Sequence, residues 1–124
     1  MEHRFLRTEM VLGDRALEKL SRCHVAVFGL GGVGSYAAEI LARSGVGELT
    51  LVDQDTLSLT NINRQLVALH STVGRQKAEV LADRLRDINP AIGLTIVNRY
   101  IRDEETYTLL DAAAYDFVVD AIDT

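Results

Sequence analysis

Apolar residues fall in short blocks along this chain, and the blocks alternate between two periods. Residues 24–28 (HVAVF), 48–53 (ELTLVD), 94–101 (LTIVNRYI) and 115–123 (YDFVVDAID) are compact runs rich in valine, isoleucine and leucine, which predict strands. Between them the spacing lengthens to that of a helix. Residues 13–21 place Ala16, Leu17 and Leu20 on one face. After Gly34, the apolar positions Tyr36, Ala37, Ile40 and Leu41 recur at helical intervals, and Gly45 stands where a C-cap is wanted. From Gly74, RQKAEVLADRLRDIN carries Ala78, Leu81, Leu85 and Ile88 on one face and must stop at Asn89-Pro90. Asp103 caps a last helix, DEETYTLLDAA, whose acidic first turn suits the helix dipole.

Strand and helix alternate throughout. That order predicts an α/β, Rossmann-like doubly wound fold with parallel strands, right-handed crossovers and helices on both flanks. The expected order of the four strands is 3-2-1-4. In it the fourth strand, which reads as buried, has no neighbour on one side. Residues 1–124 are therefore expected to be a single domain truncated after the fourth strand, the N-terminal half of a larger domain.

One turn and one connection break the simple alternation. Between the first strand and its helix, Gly29, Gly31 and Gly34 stand in G-x-G-x-x-G order, with Gly32 a further bare position beside them. The first glycine permits the tight turn, the second lets the chain approach a pyrophosphate, and the third lets helix and strand pack closely. The free N–H groups of the helix then meet the anion. Asp53 follows 24 residues after Gly29, where a ribose-binding acid is expected. NAD-dependent dehydrogenases and ATP-using enzymes share this arrangement, so the nucleotide stays open at this point. After Asp53 comes a long polar connection, DQDTLSLTNINRQLVALHSTVG, where a plain nucleotide-binding half would have a short turn.

Bulk properties narrow the setting. The chain has 124 residues, 48% of them hydrophobic and 25% charged, and no apolar run long enough to span a bilayer. The opening MEHRFLRTEM is too polar for a signal peptide, which predicts a cytoplasmic protein that does not engage membranes. Cys23 is the only cysteine and can form neither an internal disulfide nor a C-x-x-C zinc pair, and it reads as a packing residue. His3, His24 and His70 match no metal spacing and receive no role. A formal charge of −5 argues against a broad electrostatic footprint for nucleic acid, though not against a local basic patch. The basic residues are 11 arginines and only two lysines, Lys19 and Lys77.

The connection decides between cofactors. A dehydrogenase has no evident need for TNINRQ followed twelve residues later by Lys77. Together RFLRTE, GLGGVGS, LVDQDTLSLTNINRQ, STVGRQKAE, the INP ending the helix, and VVDAIDT resemble the ubiquitin-activating-enzyme-like adenylating enzymes, the ThiF/MoeB/HesA family. That resemblance implies Mg·ATP as ligand and attack of a substrate carboxylate on the α-phosphate, giving an acyl adenylate and pyrophosphate. Charge developing around the α-phosphate calls for fixed cations in a dry cleft, and Arg64 and Lys77, each inside a family motif, are the candidates. Asn61 and Gln65 would hold phosphate or ribose oxygens, with a turn-stabilising alternative for Asn61. Asp53 would accept from the ribose hydroxyls, and Asp55 would orient the same region or cap the next segment. Asp123 falls where the family places a magnesium ligand, while Asp120, on the other register of the strand, reads as structural. Arg7, with Arg4 as the fallback, would reach the triphosphate of a neighbouring subunit in a homodimer.

Within the family, HRFLRTEMVLG, NINRQ and HSTVGRQK look most like the tRNA threonylcarbamoyladenosine dehydratases. The implied substrate is tRNA carrying threonylcarbamoyladenosine at position 37, whose activated carboxylate is attacked by the substrate's own ureido group. No enzyme cysteine is then needed as nucleophile, in line with the isolated Cys23. The alternative inside the family is activation of the C-terminal carboxylate of a small ubiquitin-like sulfur-carrier protein, as in molybdopterin or thiamine biosynthesis. An NAD-dependent oxidoreductase is the alternative outside it.

Overall fold

The computed structural model describes residues 3–99, 103–111 and 113–122. Two short helices, α1 (Leu6–Leu12) and α2 (Asp14–Ser21), meet at Gly13, whose φ of 87° lets the chain turn between them. They lead into β1 (His24–Phe28), followed by α3 (Gly34–Ser44), β2 (Glu48–Val52), a single 3-10 turn at Leu59–Asn61, α4 (Lys77–Ile88), β3 (Gly93–Val97), α5 (Asp103–Asp111) and β4 (Phe117–Asp120).

The strands form one parallel sheet in the order β3-β2-β1-β4. Its register aligns the carboxyl ends: Phe28 pairs with both Val52 and Asp120, and Val52 pairs with Val97. The segments leaving all four strands therefore start from one rim. The HVAVF run is buried on both faces, as a central parallel strand must be. On one face Val25, Val27, Leu49 and Leu51 pack against Ala38 and Ala42 of α3 and against Ala78, Leu81 and Leu85 of α4. On the other, Ala26, Phe28 and Val52 pack with Leu109 and Leu110 of α5 and with Tyr115. The buried positions of α3 are the small residues Gly34, Ser35, Ala38 and Ala42, while Tyr36 and Ile40 are exposed, so the helix lies close to the sheet. Its end is closed as expected by Gly45, left-handed at φ 103°, with the Val46 N–H returning to the Leu41 carbonyl at 3.1 Å.

Several predicted elements are corrected. Residues 6–12 are helical although they bury no residue, so no apolar period announces them. The third helix of the sequence reading begins at Lys77 rather than at Gly74, because residues 74–76 pair with the start of the preceding connection. Strand three ends at Val97, and residues 100–102 lie outside those described. Asp103 is the first residue of α5 rather than its cap. The fourth strand is not buried: Phe117 is 69% exposed and Val118 is exposed too, because β4 has β1 as its only partner among the described residues. Cys23 lies partly buried against the larger core cluster, its thiol donating to the Lys19 carbonyl at 3.3 Å. Among the described residues no helix is long and apolar enough to cross a membrane.

Candidate active site

The glycine turn leaves β1 at the aligned rim. Gly29 takes φ 88° and its N–H donates to the Val52 carbonyl at 2.9 Å, which folds the turn onto the end of β2. A side chain there is excluded twice over, since a β-carbon would stand 2.6 Å from the Ala121 carbonyl oxygen beyond β4. The Leu30 N–H donates to Asp53 Oδ2 at 2.7 Å, and Asp53 Oδ1 accepts the Asp55 N–H at 2.8 Å. The predicted ribose acid thus ties the glycine turn to the next segment, and each oxygen keeps a lone pair for a further donor. A β-carbon at Gly31 or Gly32 would make ordinary van der Waals contact rather than clash. Their nearest neighbours across the gap are Gln65 Nε2 at 3.5 Å and Arg64 Cγ at 3.8 Å from an ideal β-carbon.

Those neighbours belong to the long connection, which is ordered because its two ends are zipped together. The Leu57 N–H donates to the Arg75 carbonyl, and the Gly74 N–H to the Leu57 carbonyl, both at 2.8 Å; Thr56 and Gln76 form an antiparallel bridge. The enclosed loop folds back over the rim. Asn61 Oδ1 accepts the Ser58 N–H at 2.9 Å in a reciprocal capping box, so the turn-stabilising role applies to its oxygen. The Arg64 guanidinium is held inside the same loop by the Thr60 carbonyl at 3.2 Å and Asn63 Oδ1 at 2.9 Å. Gln65 is 7% exposed, and its Oε1 is buried without a hydrogen-bond partner. Such an orphan is costly unless a donor arrives from elsewhere.

Together these parts enclose a cleft of about 900 Å³ bordered by Gly31, Gly32, Asp53, Asp55, Asn61, Arg64, Gln65 and Lys77. Lys77 opens α4 with its side chain only 8% exposed, and Asp55 Oδ2 lies 3.7 Å from its Nζ. Gly29 and the N-terminus of α3 also border it, with Gly34 behind, where any β-carbon would overlap the Gly29 carbonyl oxygen. These parts offer a bare backbone cradle, the differently buried cations Arg64 and Lys77, the carboxylates of Asp53 and Asp55, and an unpaired amide oxygen. Such a set of donors and acceptors suits a nucleotide polyphosphate.

Three residues that the sequence reading passed over or set aside also border the cleft: Gln54, Arg99 and Asp120. Arg99 was hidden because the third strand was read through residue 101; the position just past a parallel strand's carboxyl end is the signal that finds it. It lies 3.8 Å from Glu105. Asp120 is at the rim rather than purely structural, its Oδ1 accepting the Ile122 N–H at 3.3 Å. Asp123 lies outside the described residues. Arg7 is exposed on α1 and does not border the cleft of its own chain, while Arg4 borders a second, smaller cleft with Arg43 and Arg84. His24 is a packing residue, buried at the opposite end of β1 with Nε2 at 2.7 Å from Thr50 Oγ1.

A family model described as the ThiF family matches residues 4–124. The chain belongs to the ThiF family. This ThiF-family chain is 48% identical over its whole length to the tRNA threonylcarbamoyladenosine dehydratase of Bacillus subtilis, of which it covers 48%. Over 106 residues, 86% of the chain and 42% of the relative, it is 44% identical to the molybdopterin-synthase adenylyltransferase of Escherichia coli. Among solved structures, the Escherichia coli tRNA N6-threonylcarbamoyladenosine dehydratase in complex with ATP superposes with a TM-score of 0.94 at 44% identity, over 98% of this ThiF-family chain and 49% of that one. The chain spans about half the length of the relatives it matches.

Proposed function

We propose that residues 1–124 are the ATP-binding domain of an adenylating enzyme that activates the carboxylate of the threonylcarbamoyl group on adenosine 37 of tRNA. The observation that carries this reading is the buried Lys77, set with Gln65 and Arg64 against the open face of the glycine turn. The pyrophosphate of a dinucleotide would also take the glycine turn, but buried and loop-held cations added beside it suit the greater charge of a triphosphate.

In the proposed reaction the adenosine ribose hydroxyls donate to Asp53, and the phosphates take the backbone N–H groups at Gly31 and Gly32. The Asn61 amide nitrogen donates to a phosphate or ribose oxygen, and Gln65 Oε1 accepts from a nucleotide hydroxyl. A carboxylate oxygen of the substrate attacks the α-phosphorus, and the bond to pyrophosphate breaks. Arg64 and Lys77 offset the charge on the departing phosphates. The substrate's ureido group then attacks the acyl carbon and gives up a proton; AMP leaves with the former carboxylate oxygen, so the net change in the substrate is loss of water.

Magnesium accompanies the ATP in this reading. A carboxylate oxygen at the rim fits it: Asp120 borders the cleft and Asp123 follows shortly. Mg²⁺ takes one or two carboxylates besides phosphate oxygens and water, so it needs no cluster of three acids, and none occurs among the described residues. Bound there it would neutralise phosphate charge. Arg7 would come from a second copy in a homodimer, and a cytoplasmic setting, where ATP and tRNA meet, goes with the reading.

The likeness to the molybdopterin-synthase adenylyltransferase supports a second reading, in which a sulfur-carrier C-terminus replaces the tRNA carboxylate. ATP–pyrophosphate exchange by the full-length protein separates the two. Exchange stimulated by tRNA bearing threonylcarbamoyladenosine is expected, whereas exchange stimulated only by a carrier protein would favour the second, and tight NAD binding without ATP binding would reject both.

A further inference from the structure

Lys77 and Asp55 come from opposite ends of the long connection, and the backbone leaves them little freedom to part. Besides the zipper between residues 57 and 74–75, the Lys77 N–H donates to the Asp55 carbonyl at 3.0 Å. Asp55 is fixed from the other side as well, its own N–H donating to Asp53 Oδ1, while Asp53 Oδ2 holds the Leu30 N–H. One continuous set of hydrogen bonds therefore runs from the glycine turn through Asp53 to the residue that faces the lysine.

The side chains of the pair are unequal. Lys77 is 8% exposed and Asp55 is 59% exposed, with Nζ and Oδ2 3.7 Å apart. That separation is an ion pair but is too long for a direct hydrogen bond, so the carboxylate does not consume the ammonium's three donors. A buried ammonium needs close, hydrogen-bonded partners to offset the loss of water. Among the described residues Asp55 is its one ionic partner within 4.0 Å. The other charged groups bordering the cleft are Asp53, Arg64, Arg99 and Asp120.

We propose that Asp55 is a positioning residue for Lys77: its carboxylate holds the ammonium at the cleft wall while the site is empty, and the ammonium passes from it to the polyphosphate when nucleotide binds. This rests on the adenylating reading above. It gives Asp55 a role through the lysine rather than through contact with the nucleotide. Because both the carboxylate and the polyphosphate are anionic, Asp55 competes with ATP for the same cation. Its removal therefore favours ATP in the ground state while loosening the lysine in the transition state.

The test is substrate-dependent ATP–pyrophosphate exchange by the full-length protein with tRNA bearing threonylcarbamoyladenosine. Asp55→Asn keeps both backbone hydrogen bonds and removes only the charge. The expected result is a split: KM for ATP unchanged or lowered, and kcat reduced about ten-fold, within the hundred-fold that a small misplacement of a reacting group costs. Asp55→Glu, which keeps the charge, should recover part of kcat. In a Lys77→Ala background, where labelled pyrophosphate reports the residual rate, Asp55→Asn should change kcat no further. A merely structural role would lower melting temperature and activity together, without the split and without dependence on Lys77. The inference is overturned if Asp55→Asn leaves kcat at the wild-type value, or if its effect multiplies with that of Lys77→Ala. Should Asp55→Asn fail to fold, Asp55→Glu enters the same cycle with the same criterion. Wild-type protein that shows no exchange would instead sink the adenylating reading itself.

Discussion

A β-carbon placed on Gly34 would fall on the carbonyl oxygen of Gly29. Helix α3 and the glycine turn are thus in backbone contact, and this closeness sets the N-terminus of α3 beside the cleft. Gly32, two residues earlier, differs: a β-carbon there meets nothing nearer than 3.8 Å. Gly34→Ala should therefore lose stability by the ~1–3 kcal/mol typical of overpacking, or more, since backbone cannot rotate away. Gly32→Ala should melt like the wild type and lose ATP affinity. Thermal melts and calorimetry on the two variants check the contrast, and equal melting temperatures would contradict it.

The Arg64 guanidinium hydrogen-bonds within its own loop, to the Thr60 carbonyl and Asn63 Oδ1. Arg64→Ala should leave the melting temperature nearly unchanged while slowing pyrophosphate release about 100-fold to 1000-fold, roughly 2.7–4 kcal/mol, the scale for losing one preorganised charge-stabilising group. Normal release in this variant would remove it from the chemistry.

Glu39 on α3 receives Arg84 of α4 and also Arg43, with its side chain only 13% exposed. The hydrogen bond from Arg84 holds its carboxyl below the ordinary glutamate range, against the upward push of burial, and Arg43 adds to the lowering. The same contact raises the Arg84 guanidinium, which stays protonated. A carboxyl depressed in the folded state stabilises it fully above the unfolded pKa, about 4.3, and loses that contribution as pH falls through the folded value. Glu39→Gln should accordingly melt below the wild type at neutral pH, with the gap closing on acidification through and beyond that range. A gap independent of pH would mean that the pairing contributes nothing through ionisation.

Arg7 lies on α1 and away from the cleft of its own chain. If it completes the site of a second copy, Arg7→Ala and Arg64→Ala proteins, each inactive alone, should regain exchange activity when dissociated and mixed. In the hybrid dimer one site combines an intact Arg64 with the intact Arg7 of its neighbour. Failure of the hybrid to recover, with both parents shown to exchange subunits, would rule out the shared site.

The sheet and the glycine turn were legible from the chain alone for a physical reason. Short continuous apolar runs and period-3.6 apolar patterns are local, and so is the demand of a tight strand-to-helix turn for residues without side chains; HVAVF, ELTLV and the glycines at 29, 31, 32 and 34 state them directly. Parallel strands alternating with helices leave few topologies, and the order β3-β2-β1-β4 follows. The candidate cations came from the resemblance to the family's motifs, which implies roles for Arg64 and Lys77 without saying how the two residues meet. Tertiary structure alone decided the rest. Pairing of residues 55–57 with 74–77 shortened α4, buried Lys77 and set Asp55 beside it, and no local pattern announces a contact between segments so far apart in sequence. The same closure committed the Asn61 oxygen to a turn and left the Gln65 oxygen waiting for a donor. Arg99 and Asp120 reached the cleft because strand register, set by backbone pairing across the sheet, fixes where each strand ends.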